Sequence, residues 1–201
     1  MKLSTKIDLC ELSPIRKFYP YAVEAQKRGI TIHHLNIGQP DIQTPPAYFE
    51  ALANYREDVL AYAPSPGIPM LIEAVQKYYA RLGVSFSEED ILITTGGSEA
   101  LLMAMLCILD EGCEVIVPEP FYPNYHTFIR MAGGKICPVH TKPEEGYRYA
   151  ERSMIEPLIN EKTRAILVTN PGNPTGTVLT AQELRLLADI AKEHDLYFIC
   201  D

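Results

Sequence analysis

Mostly apolar segments of four or five residues alternate with stretches of helical spacing, and this alternation constrains the fold more than any other feature. Strands are predicted at residues 91–94, 114–117, 135–139, 165–169 and 197–200. Apolar strands separated by helices are typical of βαβ units, whose parallel sheet is covered on both faces. The sequence therefore predicts an α/β fold with three layers, α/β/α, and a mostly parallel sheet.

The predicted helices carry start and stop signals. Pro45 and Pro46 stand at the start of one helix, where proline is tolerated, and Gly83 follows the end of another. Thr180 and Glu183 have the spacing of a capping box. Helices are predicted at 13–29, 44–55, 70–82, 98–109, 153–160 and 180–194, with a further helix ending at residue 131.

Composition excludes several classes of protein. The 201 residues are 47% hydrophobic and 22% charged, as in ordinary globular proteins, and the net charge of −8 argues against a broad nucleic-acid surface. No apolar stretch approaches the ~20 residues that span a bilayer, so no membrane association is expected. Residues 1–11 show no apolar signal segment, and the five cysteines have no zinc spacing. We expect a reduced, cytoplasmic protein without a bound metal.

A glycine turn follows the first predicted strand. Gly96, Gly97 and Ser98 stand between that strand and a helix. A helix N-terminus offers unpaired N–H groups and a positive dipole end, which suit a phosphate. The same three residues also occur in plain strand-to-helix turns, and the spacing matches neither a Walker loop nor a dinucleotide fingerprint.

Two proline-rich loops follow the next strands. Ligands of open α/β sheets bind beyond the carboxyl ends of the strands. Phe121 and Tyr122 lie in such a position. Their rings could stack on a flat ligand ring, or they could simply pack beneath the turn. The segment 170–176, Asn-Pro-Gly-Asn-Pro-Thr-Gly, is more rigid than a generic loop and would fix Asn173 as a donor. Asp201 ends the last strand, either as a helix N-cap or as a buried charge that needs a partner.

Together these segments resemble the class I/II aminotransferases, which are pyridoxal 5′-phosphate (PLP) enzymes of the aspartate aminotransferase fold. The resemblance extends from about Ser13 to Asp201, and segment 170–176 is its most specific part. The motifs that carry it are 36–41 (Asn-Ile-Gly-Gln-Pro-Asp), Tyr62 with Gly67, 96–101 (Gly-Gly-Ser-Glu-Ala-Leu), 120–125 (Pro-Phe-Tyr-Pro-Asn-Tyr) and 170–176.

The resemblance implies a role for each of five residues at the cofactor. Gly97 and Ser98 would bind its phosphate, and Tyr122 would stack on its pyridine ring. Asn173 would bond the ring's 3′-oxygen, and Asp201 would pair with the protonated ring nitrogen. The resemblance also implies cis peptide bonds before Pro120 and Pro174.

Two further residues have implied roles outside this group. Tyr62 would reach the cofactor phosphate of the neighbouring subunit, so a homodimer is expected, and Gly38 would lie near the substrate carboxylate. The implied domains are a 1–45 N-terminal arm and small-domain segment and a 46–201 portion of the PLP-binding large domain, which would be truncated.

The resemblance places the Schiff-base lysine beyond Asp201 and the substrate-binding arginine further still. None of the nine lysines in the sequence matches the family's position, so no catalytic residue is expected here. The resemblance thus implies part of an enzyme for amino acid metabolism, which transfers an amino group from an amino acid to a 2-oxo acid. Two alternatives stay open: a noncatalytic relative that binds PLP or a partner, and a PLP-dependent carbon–sulfur lyase.

Overall fold

Four of the five strands that the alternating pattern predicts form one parallel sheet. The computed structural model describes residues 2–8, 16–36, 38 and 40–201. In it the strand order is β2-β1-β3-β4, and every neighbouring pair is parallel. The strands are β1 (Glu114–Glu119), β2 (Lys135–His140), β3 (Thr163–Val168) and β4 (Tyr197–Cys200).

The sheet is buried on both faces, because alternate side chains enter two separate clusters. Val115, Val117 and Leu167 lie in one cluster, and Ile116 and Ile166 lie in the other. The first face is covered by α5 (Gly97–Ile108) and α6 (Asn124–Met131), and the second by α8 (Ala181–Glu193) together with the buried Ile155. This arrangement confirms the predicted α/β/α layers.

The capping signal of α8 is realised in full. Thr180 has an extended backbone, its hydroxyl accepts a hydrogen bond from the Glu183 N–H, and the Glu183 side chain accepts one from the Thr180 N–H. A capping box satisfies two backbone donors that a helix start leaves unpaired. The predicted helix boundary at this point is therefore confirmed.

The predicted helix at 153–160 is wrong in detail. The structure has one turn of α-helix, α7 (Arg152–Ile155), followed by a 3₁₀ turn at Glu156–Leu158. Pro157 has no N–H to continue the α-helical hydrogen bonds, and Ile159 returns to an extended backbone.

The chain divides into two compact units, Pro20–Thr95 and Gly96–Asp201 with the first 19 residues. The remaining helices are α1 (Thr5–Asp8), α2 (Tyr19–Lys27), α3 (Pro46–Asn54) and α4 (Pro69–Arg81), with a 3₁₀ turn at Glu88–Asp90. The start of the predicted first helix, residues 13–15, lies outside the described residues, as do Ile37 and Gln39 of the 36–41 motif. The predicted boundary at residue 45 concerns the domains of a longer protein and stays a prediction.

The segment Ile91–Thr94 is not a strand, contrary to the prediction. Its backbone bonds a loop of its own unit instead, since the Ile93 N–H donates to the Pro66 oxygen at 2.8 Å. Gly67 in that loop has φ +122°, and a Cβ there would stand 2.4 Å from Ile93 Cγ1. The close approach requires glycine.

Candidate functional site

The first candidate element is the start of α5. Gly96 has φ +83°, a conformation that favours glycine, and Gly97 is the first helical residue. Apart from their chain neighbours and the helix backbone, no atom lies within 4 Å of the place where a Cβ would stand at either glycine. The exposed Ser98 follows. This turn leaves open space at the end of a helix whose first N–H groups lack intrahelical acceptors.

Tyr122 is held after β1 by contacts on two sides. The Asn124 side-chain amide donates to the Tyr122 hydroxyl at 2.7 Å. The ring of Tyr125 meets the Tyr122 ring edge to face, with centroids 5.5 Å apart at 87°. Tyr122 is half-buried, whereas Tyr125 is only 1% exposed. The partly accessible ring of Tyr122 is therefore supported by the buried ring of Tyr125.

Asp201 is fixed at the end of β4 through its backbone. Its N–H donates to the Val168 oxygen at 2.9 Å, and its own oxygen accepts from the Asn170 N–H at 3.2 Å. The exposed Asp201 carboxylate accepts a hydrogen bond from the Tyr125 hydroxyl. The sequence interpretation of Asp201 as a buried charge is therefore not met as to burial, although the carboxylate does have a hydrogen-bond partner.

Tyr125 has a second polar contact. Its hydroxyl oxygen lies 2.6 Å from the Thr169 hydroxyl oxygen. Burial and the bond to the negatively charged Asp201 both raise the pKa of Tyr125 well above its usual range. Tyr125 therefore remains a neutral phenol, able to donate its proton to the carboxylate.

Asn173 lies in a loop closed by its own backbone. The Gly172 N–H donates to the Thr177 oxygen and the Gly176 N–H donates to the Gly172 oxygen, both at 2.7 Å. Asn173 lines a cavity of about 30 Å³ together with Thr169 and Tyr125. The cis bonds predicted before Pro120 and Pro174 are confirmed, and Asn170–Pro171 is a third cis bond that was not predicted.

Three of the predicted site residues, Tyr122, Asn173 and Asp201, thus follow the carboxyl ends of β1, β3 and β4 at one edge of the sheet. Gly97 and Ser98 open α5, one turn before Leu101, which shares a core cluster with Tyr125.

The other two predicted site residues belong to the other unit, Pro20–Thr95. Gly38 is exposed, and the Tyr62 side chain is fully exposed. Their assigned roles stay predictions.

Sequence reasoning missed the parts that Tyr125 and Thr169 play. Tyr125 stands three residues after Tyr122, in the first turn of α6, and Thr169 is the first polar residue after the apolar end of β3. These two positions are the features of the sequence that could have indicated their roles. The contact with Asp201 itself spans 76 residues of sequence and has no local pattern.

Comparison with known proteins agrees with the fold. Residues 30–201 match the family described as aminotransferase class I and II. The aspartate/prephenate aminotransferase of Thermus thermophilus is 37% identical over 182 residues, which are 90% of this chain and 47% of that protein. Aromatic-amino-acid aminotransferase 2 of Thermococcus litoralis is 35% identical over 209 residues, covering all of this chain and 51% of that one.

The fold is also similar to a solved structure of Thermus thermophilus aspartate aminotransferase, a single mutant. The TM-score is 0.90 at 36% identity, and the match covers 100% of this chain and 53% of that chain. The chain therefore spans about half the length of the relatives it matches.

The donor set suits the PLP that this family uses. The open glycine turn at a helix N-terminus suits a phosphate, the Tyr122 ring suits a flat heterocycle, and the Asp201 carboxylate suits a protonated ring nitrogen. Among the described residues there is no cluster of three or more metal-ligating side chains. No helix in the described part of the chain is long and apolar enough to cross a membrane.

Proposed function

The chain belongs to the class I and II aminotransferases, and from that premise we propose that the protein transfers an amino group from an amino acid to a 2-oxo acid with PLP as cofactor. One observation carries the proposal. The Asp201 carboxylate stands at the carboxyl end of the sheet, hydrogen-bonded to Tyr125, whose ring supports the Tyr122 ring. The carboxylate proposed to bind the ring nitrogen and the aromatic ring proposed to stack on the cofactor are thus both held by Tyr125.

Each residue has one task in this proposal. The cofactor supplies an electron sink next to the α-carbon of the amino acid. Gly97 and Ser98 bind the phosphate with backbone N–H groups and a hydroxyl, and Tyr122 orients the ring. Asn173 donates a hydrogen bond to the ring's 3′-oxygen. Asp201 holds a proton on the ring nitrogen, which strengthens the electron sink.

The proposal assigns the other unit to assembly and substrate. Tyr62 is fully exposed, which supports a contact with the phosphate site of a second protomer in a homodimer. Gly38 itself is exposed and lies in neither a helix nor a strand, and in the proposal it lies near the substrate carboxylate. Residues 1–45 would then form an arm and small-domain segment, and residues 46–201 a part of the large domain.

The complete activity needs more than these 201 residues. Because the chain spans about half of its relatives, we assign the lysine that moves the proton and the arginine that binds the substrate carboxylate to sequence beyond Asp201. The names of the relatives mention aspartate, prephenate and aromatic amino acids. For this protein we propose the wider class of amino acids and 2-oxo acids, and a cytoplasmic role in biosynthesis.

The test is an assay of the full-length protein with PLP. We expect it to consume more than one equivalent of an amino acid per site only when a 2-oxo acid is supplied, and to do so as a homodimer. Removal of an electrostatic partner typically costs about 10²–10³-fold in rate, so Asp201→Asn should lower kcat/KM by about that factor. Asp195→Asn, in the turn after α8, is the matched control and should retain activity.

Three results would count against the proposal. Formation of more than one equivalent of product per site without a 2-oxo acid would indicate a lyase, and tight PLP binding without turnover would indicate a noncatalytic relative. Turnover by the 201-residue chain alone would show that the catalytic lysine lies within it. For the chain alone we expect borohydride reduction with PLP to label only scattered lysines.

A further inference from the structure

We propose that Tyr125 and Thr169 are positioning residues, which together hold the Asp201 carboxylate in the orientation that accepts a proton from the ring nitrogen of the cofactor. The inference rests on the proposed function, because it assigns Asp201 to that nitrogen. It adds two hydroxyl groups that touch neither the cofactor nor the substrate.

The hydrogen-bond geometry fixes the direction of this chain of donors. An ionised carboxylate only accepts, so the single proton of the Tyr125 hydroxyl points to Asp201 Oδ2. The Tyr125 oxygen must then accept from Thr169, whose hydroxyl oxygen is 2.6 Å away. The order is Thr169 to Tyr125 to Asp201, with one proton donated at each step.

Tyr125 is held too firmly to follow a moving carboxylate. It is 1% exposed and belongs to the same buried core cluster as Leu101, Met105 and Leu167. On the loop side its ring lies 6.4 Å from that of Phe121, at 22°. The hydroxyl therefore has a fixed position, and Asp201, which is exposed, takes its orientation from it.

Two groups proposed to contact the cofactor thus depend on one buried residue. The hydroxyl of Tyr125 holds Oδ2 of Asp201, which leaves Oδ1 for the ring nitrogen, and the ring of Tyr125 supports that of Tyr122 from its edge. Substitution by Phe keeps the ring and removes only the hydroxyl. Tyr125→Phe therefore separates the role of the donor from the role of the packing.

The experiment measures binding of pyridoxamine phosphate to the full-length protein by calorimetry, because this amine cannot bond covalently to a lysine. Loss of a hydrogen bond to a charged group should weaken binding about tenfold in Tyr125→Phe. Thr169→Val, which keeps Tyr125 intact, should weaken it about threefold. Tyr197→Phe removes a hydroxyl from an exposed tyrosine at the start of β4, the opposite end of that strand from Asp201, and should change binding less than twofold.

A second readout distinguishes positioning from general support. With ¹⁵N-labelled cofactor at neutral pH, the chemical shift of the ring nitrogen should move toward the unprotonated value in Tyr125→Phe and Thr169→Val, but not in Tyr197→Phe. In Asp201→Asn, adding Tyr125→Phe should weaken binding no further, because the hydroxyl acts through the carboxylate.

The outcomes separate the two claims. If the wild-type protein does not bind pyridoxamine phosphate, the proposed function fails. If it binds, and Tyr125→Phe and Thr169→Val leave both affinity and nitrogen shift unchanged, the positioning role is refuted. Additive losses in Tyr125→Phe with Asp201→Asn would also refute it. Should Tyr125→Phe fail to fold, Thr169→Val decides.

Discussion

Residues 96–201 and residues 20–95 differ most in how much apolar side chain they bury. The first region buries both faces of its sheet. Among the described residues of the second region, Ile72 alone is buried. On α3, Tyr48, Phe49 and Leu52 are 57–64% exposed.

The comparison indicates where the stability of the chain comes from. Burial of apolar surface is the main favourable contribution to folding, about 25 cal/mol per Å². Residues 96–201 bury apolar side chains against one another, and they also carry the proposed cofactor site. Residues 20–95 carry the residues proposed for the second subunit and the substrate, and we propose that the rest of the dimer covers their apolar surface.

The largest expected effect is in the sheet core. Leu187 on α8 is 0% exposed, so Leu187→Ala should lower the free energy of unfolding of the 201-residue chain by about 2–5 kcal/mol. Leu52→Ala, the same change at an exposed site, should alter it by no more than about 0.5 kcal/mol. Denaturant unfolding measures both, and equal losses would show that the two regions do not differ in buried apolar contacts. A larger loss for Leu52→Ala in the full-length dimer would indicate that the dimer covers this side chain.

A medium effect is expected where the second region is closely packed. Gly67→Ala places a Cβ 2.4 Å from Ile93 Cγ1 at φ +122°, which we expect to cost about 2 kcal/mol through overpacking and backbone strain. Gly83→Ala has φ +79° but open space around the Cβ, so it should cost about 1 kcal/mol. If the two variants are equally stable, the contact with Ile93 does not contribute.

The capping box gives a smaller effect in the first region. Thr180→Ala removes the hydroxyl that accepts from the Glu183 N–H, and should lower the free energy of unfolding by about 1 kcal/mol. Thr180→Ser keeps the acceptor and should cost only a few tenths of that. Thermal or denaturant unfolding compares the three proteins, and a full loss in Thr180→Ser would contradict the capping role.

The smallest effect appears only in alkaline solution. Burial, with the negative charges of Cys200 and Glu183, raises the pKa of Tyr149 to about 12. The folded state favours the neutral phenol. The contribution of Tyr149 to the free energy of unfolding is therefore complete below pH 10, the usual pKa, and is lost as the pH rises toward 12. At pH 10 the Tyr149→Phe variant should lose about 0.4 kcal/mol less of its free energy of unfolding than the wild type. Identical pH profiles of unfolding would contradict the assignment.

Local signals in the sequence were sufficient for most elements of the first region. Apolar runs between glycine and proline turns predicted β1 to β4, and the spacing of Thr180 and Glu183 predicted the start of α8. Ile91–Thr94 has a similar apolar pattern but bonds a loop instead, since a strand also needs a partner that no local pattern specifies.

In the candidate site, too, some residues can be predicted from local motifs, whereas a contact between distant residues cannot. Gly97, Tyr122, Asn173 and Asp201 lie in motifs that can be recognised along the chain. The bond between Tyr125 and Asp201 forms only because β1, β3 and β4 end at one edge of the sheet. Long-range side-chain contacts of this kind depend on the packed fold.

The central claim is that residues 96–201 hold the cofactor ring between Tyr122 and Asp201. A crystal structure of the full-length protein with PLP tests it most directly. We expect the ring nitrogen within hydrogen-bonding distance of the Asp201 carboxylate, the ring stacked on Tyr122, and the phosphate at the N–H groups of Gly97 and Ser98. A cofactor bound away from this edge of the sheet, or with its nitrogen facing another residue, would contradict it.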